Sequence, residues 1–224
     1  MSEFPVCKRA VFLSGLLGDG YYDNGIKNAL ASVFGYDDVE VFSLPQAHDN
    51  NRALRIAAFG AEVYTHSAGA LGVKGLLGEA AVHMIAAPTR APFGSPLFLI
   101  PRWLRDNQEP GARAAKANKE IIFAEDPTLR PQNPGWQLRQ VFSIAKFDRV
   151  EAAREMQNEG ILVDIAAMRH DDFFPTSAEE RARAARAGIE LVVLNGEHAE
   201  LAWNPVPVLE EWKRKTHHGL IIPS

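Results

Sequence analysis

The strongest constraint in this chain is an alternation. Short apolar runs rich in β-favouring residues are separated by stretches with helical spacing, and the pattern repeats along most of the sequence. The runs are RAVFLS (9–14), VEVFS (39–43), AEVYTH (61–66), EAAVHMIA (79–86), ILVDIAA (161–167) and IELVVLN (189–195). Runs this continuously apolar belong to strands covered on both faces, which is the condition of a parallel sheet flanked by helices. The intervening stretches read as helices. Ile26, Leu30 and Val33 recur at helical spacing, with Asp23 or Asn24 as a cap and Gly35 as a stop. A second helix runs from a cap at Asp49 or Asn50 through Phe59 to Gly60, and a third opens with the capping box Ser177-Ala178-Glu179-Glu180 and ends at Gly188. The expected fold is α/β, a doubly wound, mostly parallel sheet of about six strands.

One stretch departs from the rhythm. From Pro88 to about residue 158 the chain carries eight prolines, the apolar run LFLIPRWL and helical segments near 111–122 and 135–156. An insertion of that length between two strands of a compact sheet reads as a lid or binding region, not a second core. The expectation is a single domain over 1–224 with a helical cap at about 88–158.

Charge and cysteine content exclude several function classes. With 24 basic against 28 acidic residues the net charge is −4, which gives no global field to draw a polyanion, so nucleic acid is not an expected partner. The single cysteine, Cys7, forms no intramolecular disulfide and no Cys-rich metal cluster. No stretch approaches the roughly 20 apolar residues of a spanning helix, and the first twenty residues lack the layout of a signal peptide. The histidines show neither H-x-x-x-H nor H-E-x-x-H spacing, so no metal or other cofactor is expected. A cytoplasmic protein acting on a small molecule fits these features; oligomeric state is not readable from them.

The sharpest local signal is Thr65-His66-Ser67-Ala68-Gly69, between an expected strand and an expected helix. It reads as a strained turn that lifts the Ser67 hydroxyl to a helix N-terminus, with small residues relieving crowding around it. Gly69, Gly72, Gly75 and Gly78 follow at every third position. A helix interior loses about 1 kcal/mol per glycine relative to alanine, so close approach to the sheet or a ligand explains them better. A serine hydroxyl becomes a useful nucleophile only when a histidine takes its proton and an acid orients that histidine. Suitable groups follow the last two strands, in Arg169-His170-Asp171-Asp172-Phe173-Phe174-Pro175 and in Gly196-Glu197-His198. Both segments fall at the carboxyl ends of parallel strands.

With these motifs in order, the chain resembles a small serine hydrolase of the α/β-hydrolase superfamily, esterase- or lipase-like. The resemblance rests on SGLLG, THSAG, DDFFP and GEH, and covers roughly residues 9–86 and 160–215. It implies a minimal six-stranded version of that fold. It also implies Ser67 as nucleophile, His198 as general base and acid, and Asp171 as the orienting acid, because the family's acid commonly stands four residues before a proline. The oxyanion formed on attack needs two preorganised N–H donors, each worth about 3 kcal/mol of barrier. The resemblance assigns one to Ala68 and the other to Leu16, with Leu17 as second choice. The implied reaction is cleavage of a carboxylic ester through an acyl-enzyme.

Departures from the family pattern keep other readings open. Thr65 stands where glycine is commonest, and Ser14-Gly15-Leu16 replaces the usual His-Gly-x. They motivate a non-catalytic α/β-hydrolase-like binding module as the alternative, and carbon-carbon cleavage or cofactor-free perhydrolysis as a more distant one. His170 is the runner-up base. His66 is a common neighbour of such serines, His83 a satisfied core residue, and His48, His217 and His218 surface or helix-end features. The glycines of 15–20 lack the spacing of a phosphate-binding loop.

Overall fold

The structure, a computed structural model, describes residues 8–15, 23–42, 51–73, 81–106, 113, 117 and 134–216. Cys7, Leu16, Leu17, His48, Asp49, Asn50, Gly75, Gly78, His217, His218 and most of the expected 111–122 helix lie outside the described residues.

Six parallel strands form one sheet: β1 (Arg9–Leu13), β2 (Asp38–Phe42), β3 (Glu62–His66), β4 (Ala81–Ile85), β5 (Leu162–His170) and β6 (Glu190–Glu197), in spatial order β2-β1-β3-β4-β5-β6. The order reverses direction after β2, so the chain's switch point lies between β1 and β3. Open α/β sheets bind ligands at such a point, outside the carboxyl ends of the strands.

Alternation along each strand sends side chains to two helical layers. Val11, Leu13, Val63, Val82, Met84, Val163 and Ile165 pack with α2 (Asn51–Ala58), α5 (Arg149–Asn158) and α6 (Ala178–Arg186). Ala10, Phe12, Val39, Tyr64, Ala166 and Met168 face α1 (Asp23–Phe34), α7 (Glu200–Trp203) and α8 (Pro205–Lys215), whose Trp212 is fully buried. Burial on both faces is why these strands read as unbroken apolar runs.

The Pro-rich stretch is heterogeneous. It holds turns at Pro92–Gly94 and Pro96–Phe98, α3 (Leu99–Asp106) and α4 (Pro134–Lys146), and a third apolar cluster in which Ala91, Leu99, Ile144 and Ala145 meet Ala68 and Phe174. The segment expected to be helical over 135–156 is two helices. Asp148 breaks it, accepting from the Val150 and Glu151 amides as the cap of α5. Helix α5 then buries Val150, Ala153 and Met156 against the sheet, so it is part of the layer that covers the strands.

His83 is a satisfied core residue. Its Nδ1 lies 3.1 Å from both oxygens of Asp164 and its Nε2 3.1 Å from Glu62 Oε2. Tyr36 adds a 2.6 Å bond to the same Glu62 oxygen and a 2.6 Å contact with the Tyr64 hydroxyl. Since carboxylates only accept, both ring nitrogens donate and His83 is an imidazolium. Burial pulls its pKa down, but Asp164 and Glu62 outweigh that and hold it at about 9.

Candidate active site

Ser67 follows the last residue of β3 and has φ of 54°, in the left-handed region that non-glycine residues avoid. It opens the helix expected there, which is a 3-10 helix, Ser67–Gly72, tighter than an α-helix. Gly69 accounts for the compression. A Cβ at this position would overlap the Leu13 carbonyl oxygen, so the turn presses against β1 in a way only glycine permits. Thr65, which stands where glycine is commonest, is fully buried, its hydroxyl 3.5 Å from the His83 carbonyl.

The strained turn turns the Ser67 hydroxyl toward β6. His198 Nε2 is 3.0 Å from Ser67 Oγ, and His198 Nδ1 is 2.9 Å from Asp171 Oδ2. Strands β5 and β6 run longer than the apolar runs that announced them, to His170 and Glu197. These two residues form the last paired rung, beyond a register shift at Met168. The residues that leave the sheet next, Asp171 and His198, therefore emerge side by side. His170 points to solvent at that rung and takes no part in the row.

Asp171 is buried and acts as an acceptor throughout: its Oδ1 takes the amides of Phe173 at 2.9 Å and Phe174 at 2.6 Å. Burial pushes its carboxyl up, but the His198 ring, the Phe174 amide and the charge of Arg149 outweigh it, leaving the group below the usual carboxylate value. An ionised Asp171 requires the proton on His198 Nδ1, and in the neutral ring that tautomer leaves the Nε2 lone pair facing the Ser67 O–H. The rings of Phe173 and Phe174 stand edge-on to His198 at 5.4 and 5.2 Å. His66 donates its Nε2–H to the His198 carbonyl at 2.9 Å. Burial, helped by His198, pushes the His66 pKa down to about 3, so it is neutral.

Sequence reading missed Arg149. Fully buried, it bonds Glu180 through two nitrogens at 2.9 Å each, Thr176 Oγ1 at 2.6 Å and the Ala87 carbonyl at 3.1 Å. It thereby ties the segment that carries Asp171 to α5 and to the end of β4. Nothing in FDRVEAA signals this, because a lone arginine near a helix start is usually solvated. It also redirects Glu180. The Ser177 hydroxyl caps α6 as expected, accepting the Glu180 amide at 3.0 Å, but the Glu180 carboxylate is held by Arg149.

On the opposite side of Ser67 the backbone of the β1 loop is close. A Cβ at Gly15 would lie 3.2 Å from Ser67 Cβ and 3.5 Å from its Oγ. Ala68 is buried, and as an early residue of the 3-10 helix its amide has no intrahelical acceptor. Leu16, the other expected donor, is outside the described residues. Among the described residues no group of three or more His, Cys, Asp or Glu is placed to hold a metal ion, and no helix is long and apolar enough to cross a membrane.

No family model matches the chain, and no curated protein matches it in sequence. Solved structures do match in three dimensions. E-2-(acetamidomethylene)succinate hydrolase is 16% identical, with 92% of this chain and 90% of that one covered at a TM-score of 0.63. A deformylase from Pseudomonas putida S16 is 13% identical, with 94% and 93% covered at 0.63. An esterase from Rhodococcus sp. is 14% identical, with 93% and 90% covered at 0.56. The chain has the α/β-hydrolase fold.

Proposed function

We propose that this chain, an α/β hydrolase by its fold, is a serine hydrolase that cleaves carboxylic ester bonds through an acyl-enzyme. The observation that carries the reading is the hydrogen-bonded row from Ser67 through His198 to Asp171, at 3.0 and 2.9 Å, starting from a serine held at positive φ.

Ser67 Oγ attacks the ester carbonyl as its proton passes to His198 Nε2. Asp171 fixes the imidazole's tautomer and stabilises the imidazolium that forms. The carbonyl oxygen becomes an oxyanion, met by the amides of Ala68 and Leu16; the nearness of Gly15 to Ser67 supports a donor from this loop. Collapse expels the alcohol with the proton from His198. The same histidine then takes a proton from water, which attacks the acyl-enzyme and releases the acid. The apolar cluster of Ala68, Leu99, Ile144 and Phe174 is a suitable neighbour for an acyl substituent. The cap, residues 88–147 once α5 is counted with the layer over the strands, covers that substituent, and the single cysteine accords with a cytoplasmic enzyme.

The structural neighbours include an esterase and a deformylase. The fold therefore hosts both ester and amide chemistry, and the ester is preferred as the more reactive acyl group. The test is hydrolysis of a short p-nitrophenyl ester and labelling by a fluorophosphonate. Wild-type protein turns over and labels; Ser67→Ala does neither and melts as wild type. Turnover undiminished in that variant rejects the assignment, and a folded wild type that neither labels nor hydrolyses favours the binding-module reading.

A further inference from the structure

The cap carries a surface that neither the fold nor the proposed chemistry uses. Phe93, Leu97, Phe98, Ile100 and Leu104 are exposed on the two turns and α3, and Leu138 and Phe142 are exposed on α4, which packs against both turns. Phe93 is the extreme case: 95% exposed, at φ of 55° in its turn, with its ring 6.1 Å from that of Phe98. In α3, Leu99 enters the apolar cluster beside Ser67, whereas Ile100 and Leu104, four residues apart on one face, remain outside it. Single exposed apolar side chains are ordinary on a protein surface; a group of this size on adjoining elements marks an interaction site.

Charge indicates what the surface meets. Residues 88–147 contain 9 Lys and Arg against 5 Asp and Glu, whereas the whole chain has 24 against 28; the cap is therefore +4 and the remainder −8. Arg90, Arg139 and Lys146 are exposed within the described part of the cap. We infer that this face of the cap docks on an anionic lipid bilayer. Phenylalanine, leucine and isoleucine side chains enter the outer acyl region, while arginine and lysine stay with the headgroups. The acidic body is repelled by the same surface, so the field orients the molecule cap-first. Nucleic acid, the other common polyanion, would meet a cluster of apolar side chains where it needs cations. A short helix and two turns give reversible binding that depends on anionic lipid and weakens with salt.

The inference is independent of hydrolysis, and its test needs no turnover. The full chain is sedimented with vesicles of phosphatidylcholine alone or doped with phosphatidylglycerol. The expected result is partitioning about tenfold stronger into the anionic vesicles, falling as salt is added. The triple variant Phe93→Ser, Leu97→Ser, Ile100→Ser loses about tenfold of that partitioning. Charge reversal at Arg90, Arg139 and Lys146 to Glu loses at least as much, and it tests the claim even if the triple variant fails to fold. Phe59→Ser, an exposed apolar position on the body, binds as wild type. The proposal is overturned by equal partitioning into both vesicle types, by no partitioning, or by variants that partition as wild type. It is equally overturned by a wild-type dimer that the triple variant dissociates, since the face would then be an interface between copies of this chain.

Discussion

Two buried histidine–carboxylate pairs sit in one sheet and do opposite things. His83 in β4 lies between Asp164 and Glu62, and His198 after β6 lies between Asp171 and Ser67. Each ring has a carboxylate at Nδ1; the difference is at Nε2. In the core a second carboxylate takes that proton too, so the ring is locked as a cation with nothing left to accept. At the end of the sheet a hydroxyl, which can donate as well as accept, occupies the same position, so Nε2 is free to act as an acceptor there. An aspartate–histidine pair is thus no sign of catalysis by itself. The group on the far nitrogen decides, together with the backbone strain that brings that group within reach.

The largest effect expected from breaking the active pair alone comes from Asp171→Asn. The amide leaves the geometry in place but favours the wrong imidazole tautomer, so kcat for ester hydrolysis falls about 10⁴-fold. Steady-state kinetics check it, with circular dichroism to show the fold is kept. The matching change in the core, His83→Gln, has the reverse profile. It removes the cation between two carboxylates and lowers unfolding free energy by about 3 kcal/mol in urea titrations. The folded variant labels with fluorophosphonate at the wild-type rate.

Stability against pH sharpens the contrast further. The His83 pKa is raised from 6.5 to about 9 on folding, so its contribution is complete below 6.5 and disappears as pH rises through about 9. Burial pushes Glu62 up, but bonds from His83 and Tyr36 outweigh it and bring it from 4.5 to about 2, so its contribution is complete above 4.5 and fades as pH falls toward 2. Melting temperature should therefore decline on the alkaline side in the wild type and decline less in His83→Gln. The smallest effect is at His66, which bonds the backbone carbonyl of His198 with the two rings 5.2 Å apart. His66→Phe removes that bond, and kcat drops about tenfold with KM unchanged. A drop as large as that of Asp171→Asn would mean His66 has a direct part in proton transfer.

Much of this contrast is legible along the chain, and the illegible part has physical reasons. Continuous apolar runs mark all six strands because both faces of a parallel sheet are dry. Ser67, Asp171 and His198 stand out because each follows such a run. The paired extension of β5 and β6 through Met168-Arg169-His170 and Gly196-Glu197 is hidden, since charged residues and a glycine there lack strand character on their own. Cross-strand pairing supplies it. Arg149 is hidden for a different reason: its burial depends on Glu180 and Thr176, thirty residues later. The division of the Pro-rich stretch between a cap and α5 is invisible too, because helical spacing tells which face is apolar but not which partner covers it.

The most direct test of the account is reaction of the wild-type protein with a fluorophosphonate, followed by peptide mapping of the adduct. The account predicts one covalently modified residue, Ser67, with labelling lost in Asp171→Asn and retained in His83→Gln. A folded protein with no adduct, or an adduct on any residue other than Ser67, would contradict it.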